Sequence, residues 1–457
     1  MERENLGSRL GFILISAGCA IGIGNVWKFP YLAGANGGGA FVLIYILFLI
    51  ILGIPVMTME FAMGRASRKS PVHLYQKLEP KGSLWHLHGY AAMAGNYILM
   101  MFYTTVAGWM LRYFVMMAMG EFDGLDTQMI EAKFGEVLAD PVGQVVYMII
   151  VVVLGFLICS RGLQNGVERV TKVMMIALLA IMVILAVNCI LLDKSGTGLK
   201  FYLKPDFARM KADGIIHVIV AAMNQAFFTL SLGIGSMAIF GSYIDKEHSL
   251  LGESVNVAVL DTFVAITSGL IIFPACFAYG VEPGYGPGLI FVTLPNIFNN
   301  MPLGRLWGSL FFVFMSFAAF STVIAVFENI MACTMDLTKC SRAASGAANT
   351  VLMIILSLPC ALGFNLLSGI APMGPDTTFL DLEDFIVSNL LLPIGSLIFV
   401  LFCVTRFGWG WDKFTAEANE GKGMKVSRWM RPYMTYVLPL IVIVVLLSPV
   451  IEKLMKK

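Results

Sequence analysis

Charge is scarce in this chain: Asp, Glu, Lys and Arg make up 13% of its 457 residues, against roughly a quarter in an ordinary soluble domain. Long polar stretches are missing as well. Apolar runs near or above the roughly 20 residues that cross about 30 Å of hydrocarbon recur along the whole length, which leaves no sizeable soluble domain. The formal net charge of +2 argues against a nucleic-acid partner. Among the eight cysteines there is no CxxC and no Cys/His cluster with metal spacing. Cys19, Cys159, Cys189, Cys276, Cys360 and Cys403 lie inside apolar segments, which predicts reduced thiols. His86 and His88 alternate in a polar loop and are expected to be a solvated pair rather than metal ligands. No nucleophile with a paired base is visible, so an enzyme is not expected. No signal-peptide cleavage pattern interrupts the first apolar run, so the first helix is expected to stay in place.

What is present is an all-α polytopic membrane pattern, a single transmembrane domain over residues 1–457. Eleven spans are predicted near 10–33, 40–63, 89–118, 142–159, 167–192, 215–240, 255–279, 307–335, 348–366, 382–404 and 434–450. An odd number of spans puts the termini on opposite sides. Lys and Arg are about twice as frequent in the segments on the N-terminal side, which predicts a cytoplasmic N-terminus, an outer C-terminus and an inner-membrane location. The C-terminal EKLMKK runs against that trend.

Two stretches break the helical pattern. GCAIGIGN (18–25) falls in the middle of the first span and SLGIGS (231–236) in the middle of the sixth. Gly18 and Gly22 could instead form a GxxxG packing face. Against this, the glycines are mixed with the oxygen-bearing Asn25, Thr229 and Ser231, and the breaks open two candidate five-span halves, about 8–192 and 215–405. Glycine-interrupted spans at matching positions point to a transporter site at a repeat interface. Bare backbone at midmembrane costs several kcal/mol per group unless something binds it.

The stretches SRLGFILISAGCAIGIGNVWKFPYLAGANGGGAF, GIPVMTMEFAMGR, NQAFFTLSLGIGS, GPGLIFVTLP and SFAAFSTVIAVFEN resemble the neurotransmitter:sodium symporter family, in its eleven-helix bacterial branch, over residues 3 to 405. The resemblance implies a five-plus-five inverted repeat with broken helices 1 and 6, an extra helix near 434–450, and sodium-coupled uptake of amino acids or amines. It implies two sodium ions and no organic cofactor. The first ion would use Ala20, Asn25, Thr229 and Asp261, completed by the substrate carboxylate. The second would use Gly18, Ile21, Ala318, Ser321 and Thr322. Sodium is hard and prefers such oxygen donors.

Around the substrate the resemblance places Cys19, Ala20, Ile23, Gly24, Tyr103, Phe228, Thr229, Ser231, Ile234, Thr322 and Val326. An outer gate would pair Lys28 with Asp384, supported by Gln225, and an inner gate Arg3 with Asp336, near Tyr243. Lys28 replaces the Arg usual in relatives, which removes bidentate closure. Glu60 is expected to hydrogen-bond an unwound segment. Ile176 stands where relatives often carry a Pro in span 5. Amine-transporting relatives carry Asp at the position of Gly22, and no charged side chain lines the inferred pocket. The expected cargo is therefore a neutral amino acid, apolar or aromatic, with another small amine or osmolyte as the alternative. Asp261 stands where relatives commonly carry Asn, and Ala265 where several bacterial ones carry Glu. An intramembrane carboxylate at the ion site predicts transport that does not require chloride.

Overall fold

The computed structural model describes residues 4–280 and 287–455. It is helical throughout: among the described residues there are only two isolated bridges and no strand. Nine continuous helices are long and apolar enough to cross a bilayer. They are Gly39–Ser67, Leu87–Met119, Pro141–Ser160, Leu163–Leu192, Leu250–Ala278, Gly304–Thr338, Arg342–Leu362, Phe379–Val404 and Met430–Leu447. Two broken spans complete a set of eleven, and in chain order all are called spans 1 to 11 below.

Span 1 starts where Ser8 caps the helix Arg9–Ala20 by accepting from the Gly11 N–H. That is an ordinary N-cap, satisfying one of the orphan donors of the first turn. The helix stops at Ile21, which is extended (φ −72°, ψ 102°). The chain resumes at Gly24–Ala35, bent by 56°. Span 6 is made of Ile215–Thr229 and Ser236–Gly241, separated by a turn over 230–235. Three residues of that turn are left-handed, Ser231 (φ 50°), Gly233 (φ 97°) and Gly235 (φ 72°), and so end the helix outright. The 96° corner between Phe207–Asp213 and Ile215–Thr229 is a different feature. There a charged, exposed surface helix meets the start of the span.

Spans 3 and 8 are the longest, 33 and 35 residues, and run through the middle of the bundle. Phe156 of span 4 stacks on Phe327 of span 8 at 3.8 Å. Spans 4, 5, 9 and 11 turn Val153, Val173, Val351 and Leu440 outward. Exposed aliphatic stripes of this kind are what a lipid-facing helix requires.

Three expectations are corrected. Span 9 runs from Arg342, six residues before 348, because Ser341 caps it by accepting from Ala344 N–H. The polar opening RAASGAAN conceals that start from hydropathy. Span 5 begins at Leu163, whose N–H is held by Glu4 at 3.0 Å, ahead of the expected 167. His88 is not solvated: it is buried at the head of span 3 between Tyr75 and Phe399, while His86 pairs with Glu79. Ile176, for its part, faces outward at 57% exposure.

Gly233 tests the second break. Its φ is closed to most L-residues, and a Cβ there would lie 2.2 Å from the Leu392 carbonyl oxygen. Gly233→Ala should cost about 2 kcal/mol or more, combining left-handed strain with overpacking. A lower apparent melting temperature of the purified protein is the expected result, and an unchanged one would refute it.

Candidate functional site

The two breaks face each other at the centre of the bundle, and side chains of spans 2, 3 and 8, together with Gln225 and Ser231 of span 6 itself, stitch their loose peptide groups. Glu60 of span 2 accepts from Gly233 N–H at 2.6 Å. Asn96 of span 3 donates to the Ile234 carbonyl at 2.9 Å, and is itself held by Asn329 of span 8 at 3.1 Å. Gln225 donates to the Gly24 carbonyl at 2.9 Å, and Ser231 to the Cys19 carbonyl at 3.3 Å. The Ile23 N–H donates to the Tyr103 hydroxyl at 3.0 Å. Each bond spares the membrane interior an unpaired polar group.

Two oxygen clusters lie beside the break of span 1. In the first, Asp261 is fully buried in span 7. Its carboxylate accepts from Asn25 Nδ2 at 2.8 Å, from Thr229 Oγ1 at 3.2 Å and from the Tyr45 hydroxyl at 3.3 Å. Asn25 Oδ1 accepts from Gly22 N–H at 3.2 Å. Among the described residues Asp261 has no Lys, Arg or His ion-pair partner. A buried carboxylate without a counter-charge is expensive and calls for a cation or a proton.

In the second cluster, Ser321 Oγ donates to the carbonyls of Ala318 (2.9 Å) and Ile21 (3.3 Å). Thr322 Oγ1 lies 3.2 Å from both the Gly18 and the Ile21 carbonyl oxygens. Five oxygens with no full charge thus converge where span 8 meets the end of the first helical segment. Hydroxyls and carbonyls at such spacing suit a hard monovalent cation.

Between the breaks is a cavity of about 20 Å³, lined by Cys19, Ala20, Gly22, Gly24, Leu99, Tyr103, Phe228, Ser231, Thr322 and Leu392. That volume accommodates roughly a single water, so the walls must part to receive anything larger. Eight of these ten were named or discussed from the sequence. Leu99 and Leu392 were not, although Leu99 lies four residues before Tyr103 and so on the same helix face. Tyr45 was missed too, because a Tyr among the apolar residues of span 2 reads as packing. Four expected pocket residues do not line this cavity. Ile23 lines a separate vestibule, Thr229 instead bonds the Asp261 carboxylate, and Ile234 and Val326 are buried. Gly22 is sterically committed, since a Cβ would lie 2.2 Å from the Tyr103 hydroxyl and 2.5 Å from Thr322 Oγ1.

Above Tyr103 and Phe228 a vestibule of about 290 Å³ opens between Trp27, Lys28, Tyr31, Leu380 and Asp384. Lys28 Nζ crosses it to Asp384 Oδ2 at 3.4 Å, shares Ser388 at 3.4 Å, and sits 3.9 Å from the Phe228 ring centroid. At the other end, Tyr243 donates to Glu328 at 2.7 Å, and Arg342 grips the same buried carboxylate through both terminal nitrogens, at 2.7 and 2.9 Å. This bidentate pair was not anticipated, because Arg342 was taken to precede its span. Asp336 accepts from the Ser70 N–H and hydroxyl at 2.9 and 2.6 Å. Its expected partner Arg3 lies outside the described residues.

A profile of the "Sodium:neurotransmitter symporter family" matches residues 3–123 and 136–456. The chain belongs to this family. It is therefore a sodium-dependent symporter and a multi-pass membrane protein. It is 34% identical to a sodium-dependent transporter of Bacillus subtilis (strain 168) over 443 residues, 96% of each chain. It is 32% identical to a sodium-dependent transporter of Methanocaldococcus jannaschii, covering 96% of this chain and 89% of the relative. The crystal structure of MhsT in complex with L-phenylalanine superposes with a TM-score of 0.87 at 35% identity, covering 98% of this chain and 99% of that one. The symporter fold therefore extends over essentially the whole sequence.

The single-point contact of Lys28 generates a prediction. Lys28→Arg places a planar fork opposite Asp384, so sodium-driven uptake into proteoliposomes should stay within about twofold of wild type or rise. Loss of transport would contradict the pairing.

Proposed function

We propose that this symporter imports a neutral, apolar or aromatic amino acid together with two sodium ions. The carrying observation is the composition of the space between the breaks: it is bounded by peptide groups, hydroxyls and apolar side chains, with no charged side chain. A zwitterion suits such a place, because half-helix N-termini favour its carboxylate and exposed carbonyls its ammonium. Leu99, Phe228 and Leu392 favour an apolar side chain, and L-phenylalanine is the ligand in the MhsT complex. Gly22 supports the same reading, since the space an acidic partner for a bare amine would need is taken by Tyr103 and Thr322.

In this reading Asn25, Thr229, Asp261 and the Ala20 carbonyl hold the first ion, and Gly18, Ile21, Ala318, Ser321 and Thr322 the second. Residues 8–192 and 215–405 act as inverted repeats that rock about the fixed site. Lys28 with Asp384 closes the outer path over Phe228. Tyr243, Glu328 and Arg342 close the inner one, with Asp336 alongside. The N-terminus faces the cytoplasm of a cell whose inner membrane holds the protein. Each ion moving inward through 100 mV releases about 2.3 kcal/mol before its concentration gradient is counted. Coupling is reciprocal: if sodium tightens amino-acid binding, the amino acid tightens sodium binding by the same factor.

The test is a thermal-shift screen of the purified protein against the twenty standard amino acids, in sodium and in choline salt. Phenylalanine, leucine or a similar residue should raise the melting temperature in sodium only. Equal shifts in both salts would overturn the coupling, and shifts given only by charged or polar amino acids would overturn the assigned cargo class.

Asp261 supplies the negative charge of the ion site from within the protein. Uptake should therefore be unchanged when chloride is replaced by gluconate on both sides of the membrane. Asp261→Asn should raise the sodium concentration for half-maximal uptake on the order of tenfold, equivalent to about 1.4 kcal/mol. A strict chloride requirement in the wild type would refute the proposal.

A further inference from the structure

The connection between spans 10 and 11 collects cations that form no ion pair among the described residues. Arg406, Lys413, Lys422, Lys425, Arg428 and Arg431 are all exposed. The acids of the same stretch are largely spoken for. Glu417 is paired with buried Arg65 at 2.7 Å, and Glu420 with Lys246 at 2.8 Å. Asp412 alone is left opposite six positive charges.

The same surface is apolar in an unusual way. Phe407 is 67% exposed, Met424 53% and Trp429 76%, so large side chains stand out between the cations. Trp429 immediately precedes the first residue of span 11, Met430. An exposed indole flanked by Arg428 and Arg431 at the mouth of a membrane span belongs at headgroup depth, where amphipathic rings and snorkelling cations are favoured.

The loop is also fixed in place. Lys422 N–H donates to the Glu247 carbonyl at 2.8 Å, and Ser249 N–H to the Lys422 carbonyl at 2.9 Å. Ser249 Oγ donates to the Met424 carbonyl at 2.6 Å, and Asn419 bonds both the N–H and the carbonyl of Val426 at 2.6 and 2.9 Å. Backbone groups point inward and are satisfied, while Lys422, Met424 and Lys425 point out. The ordering cost of presenting them is already met by the fold.

We propose that residues 406–431 are a docking surface for anionic phospholipid headgroups of the leaflet in which the protein sits. Clustered Lys and Arg next to a membrane span attract an anionic leaflet additively, over a distance set by the Debye length of about 8 Å at physiological salt. Trp429 and Met424 would enter the interface between the headgroups that the cations hold. This surface is separate from the ion and amino-acid sites, and the proposal stands independently of the transported species.

Trp429 reports on its own surroundings. The full-length protein is reconstituted in vesicles containing brominated phosphatidylglycerol or, at the same mole fraction, brominated phosphatidylcholine. The fluorescence of Trp429 is obtained as the difference between wild type and Trp429→Phe. Brominated phosphatidylglycerol should quench it about twofold more strongly. That preference should vanish in K422Q/K425Q/R428Q, whose sodium-dependent thermal stabilisation by amino acid should be retained. It should also vanish for the wild type when salt is raised from about 0.05 to about 0.5 M, a series that decides the matter alone if the triple variant fails to fold. Added inorganic phosphate should leave the preference intact. Equal quenching by the two lipids at low salt, a preference insensitive to salt, or its abolition by phosphate would each overturn the proposal.

Discussion

A peptide group that leaves a helix inside hydrocarbon must find a partner within the protein, and that requirement organises this molecule. The breaks at 21–23 and 230–235 release backbone donors and acceptors at midmembrane, each worth several kcal/mol if left unpaired. The surrounding spans are placed to meet them: Glu60 reaches Gly233, Asn96 reaches Ile234, Gln225 reaches Gly24, and Tyr103 takes the Ile23 N–H. Glu60, Asn96 and Gln225 are all buried there, held by the backbone groups they satisfy. The carbonyls of Gly18, Cys19 and Ile21 are met by the hydroxyls of Ser231, Ser321 and Thr322.

Charge is handled by the same economy. Along the line from the vestibule through the breaks, charged side chains stand at three levels. Lys28 and Asp384 meet at the vestibule, Asp261 lies at the centre, and Glu328 with Arg342 lies toward the other end. The Lys28–Asp384 pair is half-exposed and single-pointed, whereas the Glu328–Arg342 pair is buried and bidentate. Pairs of the second kind lose more when one partner is withdrawn, because an uncompensated charge stays behind. Parting Arg342 from Glu328 therefore costs more than parting Lys28 from Asp384.

The fold was largely legible in the sequence. Apolar length gave the spans to within a few residues except at three heads: span 9, where a polar first turn mimics a loop, span 5, whose first turn depends on a remote tether, Glu4, and span 7, which starts at Leu250 rather than near 255 because its opening LLGES carries Gly, Glu and Ser. The glycine-rich breaks were readable because GCAIGIGN and SLGIGS interrupt otherwise uniform helices. What escaped were partners whose role depends on three-dimensional placement alone. Tyr45, Leu99 and Leu392 are ordinary residues for a membrane helix, and only the packing brings them to Asp261 or to the cavity. The same holds for His88, which a polar neighbourhood in sequence hides from its aromatic neighbourhood in space.

Thr322 occupies a position with a consequence of its own. Its hydroxyl lies against the Gly18 and Ile21 carbonyls on one side and borders the central cavity on the other. Its neighbours are those carbonyls and the Tyr103 hydroxyl, and without an ion its hydrogen is free to be directed at the carbonyls. A cation among those carbonyls needs the oxygen's lone pair instead and repels that hydrogen, which has to swing toward the cavity. One rotatable bond would then turn the arrival of an ion into the appearance of a hydrogen-bond donor facing the guest, so that occupancy on one side is legible on the other without any movement of the backbone.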